Sequence, residues 1–489
     1  MQSKFSSLLW LSLALAPASG HAIPIDASGE RAIQSGLTSF MPKGVAPDGS
    51  ITVRARQNAY EVRIKPIEFF GLDKIKGLTL SGLDTWSYLV RPLENGLWSI
   101  EQADGLNVKG NFLTNGKKTD FEYFIDSFKN DSLFDPATHL LQSGTFQANH
   151  IRGKWRTPVG SGDAGFGSLN SAYTVTKQGN TFNIAGDSQF TDLAETLKDF
   201  KTGTTRINTA SGTIHTDMKG VALEPLRQMI MIAFNNMGRP TLSLDDKARL
   251  KTLVRSNFPL FETIVQSVAY NDVQVDTANG TFGVKNVNYS LTTTGITKDA
   301  RFSLGIDAEA IKTPPGLLPP QLEQLVPQTM QIRTSFSDIN AANGLGYVMD
   351  NVDFDPARPL TPPQKFEISR HFFPTNALRI TYDGTHLASP IYDITLNGDT
   401  LIPMSGADKP TVDVTITAKD FDKTVNYLQS HMKEEPRFGQ AAFFMLMAKG
   451  FAQTDTDGQQ VWHVETDQAG QIKVNGRSFT MPSAPKPIK

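Results

Sequence analysis

Histidine, aspartate and glutamate carry the proton-transfer and metal-binding chemistry available to this sequence, and their spacing decides whether they could act together. The eight histidines are His21, His139, His150, His215, His371, His386, His431 and His463. No two stand two or four positions apart, the spacings that set a pair of imidazoles on one face, and the chain has no cysteine to add a thiolate. His463 alternates with Trp462 and Val464 and reads as a sheet histidine. Gly160, Gly162 and Gly165 match G-x-G-x-x-G, but Pro158 precedes them and Tyr173-Thr174-Val175 reads as the next strand, so a loop is expected in place of a dinucleotide site. In "QTDTDGQQVWHVE", Asp455, Asp457 and Gly458 hold the third, fifth and sixth positions of a calcium loop. Gln453 and Val464 hold the first and twelfth, where carboxylates are required, so a tight turn is expected. Neither G-x-S-x-G nor S-x-x-K occurs in a strand-turn-helix setting. The pairs Asp245-Asp246 and Glu434-Glu435 stand at helix starts, where they complement the dipole. No catalytic residue, metal or cofactor is predicted. A hydrolase site, the last-ranked reading, would need one of His139, His150, His371 or His386 to meet a carboxylate in a polar pocket.

Apolar chemistry is what remains. Two predicted helices are apolar nearly all round, one carrying Met229, Ile230, Met231, Ile232, Phe234 and Met237 and the other Phe443, Phe444, Met445, Leu446 and Met447. A helix of this kind is either sandwiched in a core or docked against something apolar. Methionine and phenylalanine together make adaptable surface that suits acyl chains. Met229, Ile230, Met231, Phe234, Met237, Phe443, Phe444, Met445 and Met447 are therefore the candidate ligand-binding residues.

The elements that must position them are mostly strands. Asn-Gly recurs at Asn95, Asn115, Asn279, Asn343, Asn397 and Asn475, and Asp-Gly at Asp48, Asp104, Asp383 and Asp457. These are strong hairpin signals, and period-two runs such as Phe302, Leu304, Ile306 and Val412, Val414, Ile416 flank several of them. Helical patterns fall at 28–40, with Ala32, Ile33, Leu37 and Phe40 on one side, at 223–238, after Ser243 with Asp246 as an Asp variant of the capping box, at 260–270, at 421–432 and at 438–452. Five prolines in 312–327 mark a crossover, and 355–364 a second boundary. The closing stretch "GQIKVNGRSFTMP" reads as a hairpin with Ile472 and Val474 inward and Lys473 and Asn475 outward. The predicted class is α+β: a long curved antiparallel sheet built from hairpins, with helices packed at an N-terminal, a central and a C-terminal position.

With 489 residues, 39% hydrophobic and 20% charged, the chain is long enough for more than one core. A net charge of −2 gives no overall reason to bind nucleic acid. Lys4, an apolar run over 8–16 and small residues up to Ala22 have the order of a cleaved secretory signal, and no later run reaches transmembrane length. Without cysteine an exported chain must hold together by burial alone, and a lipoprotein anchor is excluded. A periplasmic location is expected. The expected organisation is a signal peptide over 1–22, a β-rich region over 23–222, a central helical segment over 223–270, a β-rich region with two helices over 271–482 and a tail over 483–489.

"VRPLENGLWSIEQADGLNVKG" at 90–110, the link "GLLPPQLEQLVPQ" leading into a strand, and two helices before "GQIKVNGRSF" resemble domain of unknown function 2125, a family of exported Gram-negative proteins. More distantly they resemble the YdgA-like and AsmA-like envelope proteins. That resemblance implies a long curved sheet with packed helices, no catalytic residues, and a role in envelope maintenance with lipid or another apolar ligand in a β-lined groove. It also leaves room for a structural or interaction module that docks on an envelope protein. The signal departs from the AsmA-like pattern, where an N-terminal membrane helix acts as a tether. A released chain would act as a soluble carrier or scaffold.

Overall fold

The computed structural model describes residues 25–39, 49–114, 116–136, 138, 140–236, 241–352, 359–404, 408–467 and 469–479. The expected signal peptide and tail lie outside them. Strand accounts for 54% and helix for 21%, so antiparallel ladders are the frame of an α+β protein. The chain forms two compact units, Met1–Leu250 and Lys251–Lys489.

The first unit begins with helix α1 (Ala27–Ser39), whose start is closed by Asp26: its carboxylate accepts from the Ser28 hydroxyl at 2.5 Å and from the Gly29 and Ser28 amides at 3.0 and 2.8 Å, which together hold its carboxyl below the usual range. Ile33 of α1 is buried against strands β1 (Ile51–Ala55) and β2 (Tyr60–Ile64), whose inward residues Ile51, Val53, Tyr60, Val62 and Ile64 follow period two. Helix α2 (Pro66–Phe69), strand β3 (Leu78–Ser81) and strand β4 (Trp86–Pro92) follow. Six long strands come next: β5 (Trp98–Thr114), β6 (Lys117–Asp135), β7 (Leu140–Arg156), β8 (Gly160–Gln178), β9 (Thr181–Asp199) and β10 (Gly203–Val221). Pairing runs β1-β2-β4-β5-β6-β7-β8-β9-β10, with β3 beside the far end of β5. Helix α3 (Leu223–Asn235) follows β10, and the dividing point between units falls within helix α4 (Leu244–Ser256). The expected cap of α4 is present, since the Asp246 amide donates to Ser243 Oγ at 3.1 Å and the hydroxyl donates back to Asp246 Oδ2 at 2.7 Å.

The second unit pairs β11 (Thr263–Thr277), β12 (Gly280–Thr294), β13 (Ala300–Glu309) and, after helix α5 (Pro320–Glu323), β14 (Thr329–Ile339). Helices α6 (Ala341–Asn351) and α7 (Pro362–Phe372) lead to β15 (Ala377–Ala388), β16 (Asp393–Pro403) and β17 (Thr411–Lys419). Helices α8 (Phe421–Ser430) and α9 (Pro436–Lys449) precede β18 (Gln453–Thr454), β19 (Gln460–Thr466), β20 (Ile472–Val474) and β21 (Arg477–Phe479). β19 returns to pair with β17, and β20 and β21 close the ladder.

Several expectations are corrected. Residues 260–270 are not helical, because Thr263, Ile264, Val265 and Val268 are β-branched and pair along β12. The glycine run at 160–165 is not a loop but the start of β8. A Cβ on Gly162 would run into the Trp155 indole and one on Gly165 into the Ile151 carbonyl, so these glycines serve close strand packing. The proline-rich link is no crossover: it joins β13 to its own neighbour β14. Helices α6 and α7 form where the sequence pattern predicts no helix, and Asn343-Gly344, expected in a turn, lies in α6. Asp104-Gly105, Asp383-Gly384 and Asn397-Gly398 lie inside strands, where the register shifts at the first two and Asn397 Oδ1 accepts from the Gly384 amide at 2.8 Å. The side chains of Leu37 and Phe40 lie outside the described residues, and Ala32 is exposed.

In the first unit one level of the sheet breaks alternation. His150 at φ +50° and Asp192 at φ +52° are left-handed. Asp126, His150, Gly167, Asp192 and Ala210 stand level with one another across β6 to β10 and drop out of the ladders. Ala148 and Ile151, three positions apart, consequently pack in one cluster, as do Phe128 with Ile125 and Leu169 with Phe166. Replacing Asp192 by Val should lower stability by roughly 1–2 kcal/mol, because a β-branched side chain resists the left-handed region. Asp192→Gly should melt at or above the parent temperature. Denaturant titration of both variants checks this, and equal stability of the Val variant would remove the constraint.

The closing hairpin is built as predicted around Asn475 and Gly476, at φ +49° and +77°. Val474 is buried and Ile472 packs on its cluster. Asn475 is corrected from outward to inward. Its Nδ2 donates to the Phe451 and Val461 carbonyls at 2.7 and 2.9 Å, and its Oδ1 accepts from the His463 amide at 2.8 Å. Asn475→Ala should cost on the order of 2 kcal/mol, since it strands partly buried backbone groups. Gly476→Val should cost about as much through strain at positive φ. Thermal melts indistinguishable from the parent would contradict both.

Candidate functional site

The inserted residues give the long sheet two unlike faces. On one, Ile125, Ala148 and Ile151 are buried, and Leu106, Tyr123, Phe128, Phe146, Phe166 and Leu169 pack on them. Rings meet along this face, Phe128 with Phe146 at 6.0 Å and Phe166 with Phe190 at 5.3 Å between centroids. Burial pushes the Tyr123 and Tyr173 hydroxyls above the usual phenol range. The other face is polar: Arg152 Nε donates to Asp163 Oδ1 at 2.9 Å, Lys109 pairs with Glu122 at 3.0 Å and His215 with Asp187 at 2.8 Å. Phe124 is its exposed aromatic.

All the apolar residues packed on this cluster come from strands of the same sheet. An antiparallel sheet with one apolar face calls for a covering layer, and here the centre of the face is buried while its margin of rings is half-buried. Alternation alone misses it, because the phase slips by one at Asp126, His150, Gly167 and Asp192. The signal in the sequence is the i, i+3 spacing of Ile125 and Phe128, Ala148 and Ile151, and Phe166 and Leu169.

The predicted ligand-binding residues fall on two helices in different units, α3 in the first and α9 in the second. On α3, Met229 and Met231 are half-buried, Ile230 is 49% exposed and Ile232 is buried. The Phe234 side chain and Met237 lie outside the described residues. On α9, Phe438 and Ala442 are buried in a cluster on which Met445 packs, and Met447 is half-buried. Phe443 and Phe444 are 59% and 58% exposed. Neither helix is sandwiched on all sides. A hollow of about 380 Å³ in the second unit, bordered by Glu309, Ala310, Ile311, Lys312, Gln328 and Thr329, is open and edged by charged and amide groups.

Of the histidines, His139 lies outside the described residues. His150 lies 3.6 Å from Asp126, both exposed, and His371 stacks on Tyr347 at 4.1 Å between centroids. His386 Nε2 lies 2.9 Å from Asp393, which Lys419 approaches at 3.5 Å, so this carboxylate sits in a cross-strand ion-pair network. His463 Nε2 lies 2.7 Å from Asp413 Oδ1, and Glu465 joins them. Among the described residues this is where three metal-ligating side chains converge. The Asp455 carboxylate accepts from the Asp457 and Gln459 amides, at 3.0 and 2.8 Å, as the turn reading expects. Among the described residues no helix is long and apolar enough to cross a membrane.

No protein-family model, curated protein or solved structure matches this chain. The resemblance to the exported envelope families therefore stands as an expectation.

Ile151→Ala should cost about 2–5 kcal/mol, the loss for a core aliphatic whose surroundings relax only partly. Phe443→Ser should change stability by no more than about 0.5 kcal/mol, as at an exposed site. Urea unfolding of the full chain compares them, and a neutral Ile151→Ala would show that the apolar face is not packed.

Proposed function

We propose that this chain is an exported, non-catalytic protein of cell-envelope maintenance that binds lipid acyl chains along the apolar face of its long sheet. The observation that carries the reading is the face itself: Ile125, Ala148 and Ile151 with a margin of phenylalanines, opposite a face of ion pairs. An acyl chain offers no hydrogen bonds, so a row of partly exposed rings and aliphatic side chains matches it better than a polar hollow does. The expected signal would deliver the chain to a compartment bounded by lipid. The ligand face thus moves from the helices named on sequence grounds to β6, β7 and β8.

A second reading rests on Phe443 and Phe444 of α9, whose exposure suits contact with a partner protein of the envelope. Substitutions separate the two. The mature protein purified from a Gram-negative host should carry lipid detectable by mass spectrometry and take up a fluorescent fatty acid. Phe146→Gln and Phe166→Gln should weaken uptake at least about tenfold while the protein stays folded, and Phe124→Gln, on the opposite face, should not. Loss of uptake in Met231→Gln and Met445→Gln instead would return the site to the helices. A parent protein with neither bound lipid nor uptake would overturn the lipid reading.

A further inference from the structure

We propose that Asp413, His463 and Glu465 form a binding site for a divalent transition-metal ion such as Zn²⁺ on the polar face of the second unit's sheet. His463 and Glu465 stand two apart on β19 and so share a face. On β17, Asp413 is directly opposite Glu465 and diagonal to His463. The three ligand atoms, one imidazole nitrogen and two carboxylate oxygens, lie within 4.8 Å of one another. A single ion at roughly 2.0–2.2 Å from each needs only small side-chain adjustments.

The backbone beneath them is fixed. Val414, Trp462 and Val464 point to the opposite face, where Val414 is buried, Trp462 belongs to the core cluster and Val464 packs on it, and Trp462 Nε1 donates to the Ala448 carbonyl at 2.7 Å. His463 is held on both sides of its peptide unit, its amide donating to Asn475 Oδ1 and its carbonyl accepting from the Asn475 amide, each at 2.8 Å.

Charge supplies a separate argument. The register places Asp399, Asp413 and Glu465 directly opposite one another on β16, β17 and β19. Like charges in that relation oppose strand pairing. Arg379 answers Asp399 at 2.5 Å. Lys473 stands level with Glu465, yet Glu465 makes no ion pair among the described residues. Among the described residues the Asp413 carboxylate pairs with the imidazole of His463. A divalent ion replaces the proton shared by that pair, neutralises both carboxylates and ties β17 to β19. One nitrogen and two oxygens suit zinc better than calcium or magnesium, which favour all-oxygen shells. Remaining positions would be filled by water.

The test is calorimetric titration of the mature protein, stripped with EDTA, using ZnCl₂ with CaCl₂ and MgCl₂ in parallel. An equivalent of Zn²⁺ should bind and raise the melting temperature, with calcium and magnesium much weaker. His463→Gln and Glu465→Gln should each weaken that equivalent by no less than ~10-fold, the smaller loss known for outer partners of a metal site. Without metal, Glu465→Gln should melt no lower than the parent, because it removes a like-charge neighbour, so lost binding would not be lost folding. Asp413→Asn serves in its place should that variant unfold. His386→Gln should leave the equivalent unchanged. Absence of Zn²⁺ binding, binding that survives His463→Gln or Glu465→Gln, or equal loss in His386→Gln would overturn the site.

Discussion

In a single antiparallel sheet every side chain must choose one of two faces, and strands β6 to β10 keep their apolar residues on one face only because each inserts a residue at the same level. Without His150 in left-handed conformation, Ala148 and Ile151 would point to opposite sides and the cluster they form with Ile125 would be split. Left-handed backbone at a non-glycine residue costs about 1 kcal/mol or more. Burying Ile125 and Ile151 contributes about 1.5–3 kcal/mol each and offsets it. Gly167 stands between the two left-handed residues, where a Cβ would meet the Asp192 carboxylate. The insertions are coupled, since a single strand lacking its extra residue would shift register against both neighbours.

In the second unit β16, β17 and β19 pair without a register shift and separate their faces by alternation. Along β16, β17 and β19 the residues Ile394, Leu396, Val414, Ile416, Trp462 and Val464 lie on one side and Asp393, Asp399, Asp413, His463 and Glu465 on the other. The apolar side is covered by α8 and by the end of α9, through Phe421, Val425 and Met445. The polar side carries paired charges, and their relation across the ladder follows wholly from register. Closure comes from Asn475, which links the turn of the last hairpin to the segment after α9 and to β19. This last hairpin is therefore scaffolding that also sets the position of His463.

A functional reading follows from the surfaces each unit carries. The first unit presents a broad aromatic face and an opposite face of ion pairs, and such asymmetry suits a guest that is apolar along its length. The second unit presents two phenylalanines on α9 and a row of carboxylates, which suit contact with a surface and with a cation.

The sequence by itself determined the balance of strand over helix, the hairpins at Asn95, Asn279 and Asn475, the cap at Ser243 and the inward placement of Val474. These depend on local backbone preference and on neighbours a few residues away, which chain order records. Tertiary structure alone decided that Asp104-Gly105 and Asn397-Gly398 lie within strands instead of ending them, that Thr263, Ile264 and Val265 pair as a strand, and that Asn475 turns inward to bond with Phe451 and Val461. Each of these depends on a partner far along the chain, whose hydrogen-bond groups or side chain changes the preferred state. The apolar face of the long sheet lay between the two cases. Its residues were present at i, i+3 spacing, but only the alignment of neighbouring strands shows that the slips at Asp126, His150, Gly167 and Asp192 coincide, because a shift of phase has meaning only relative to the strand beside it.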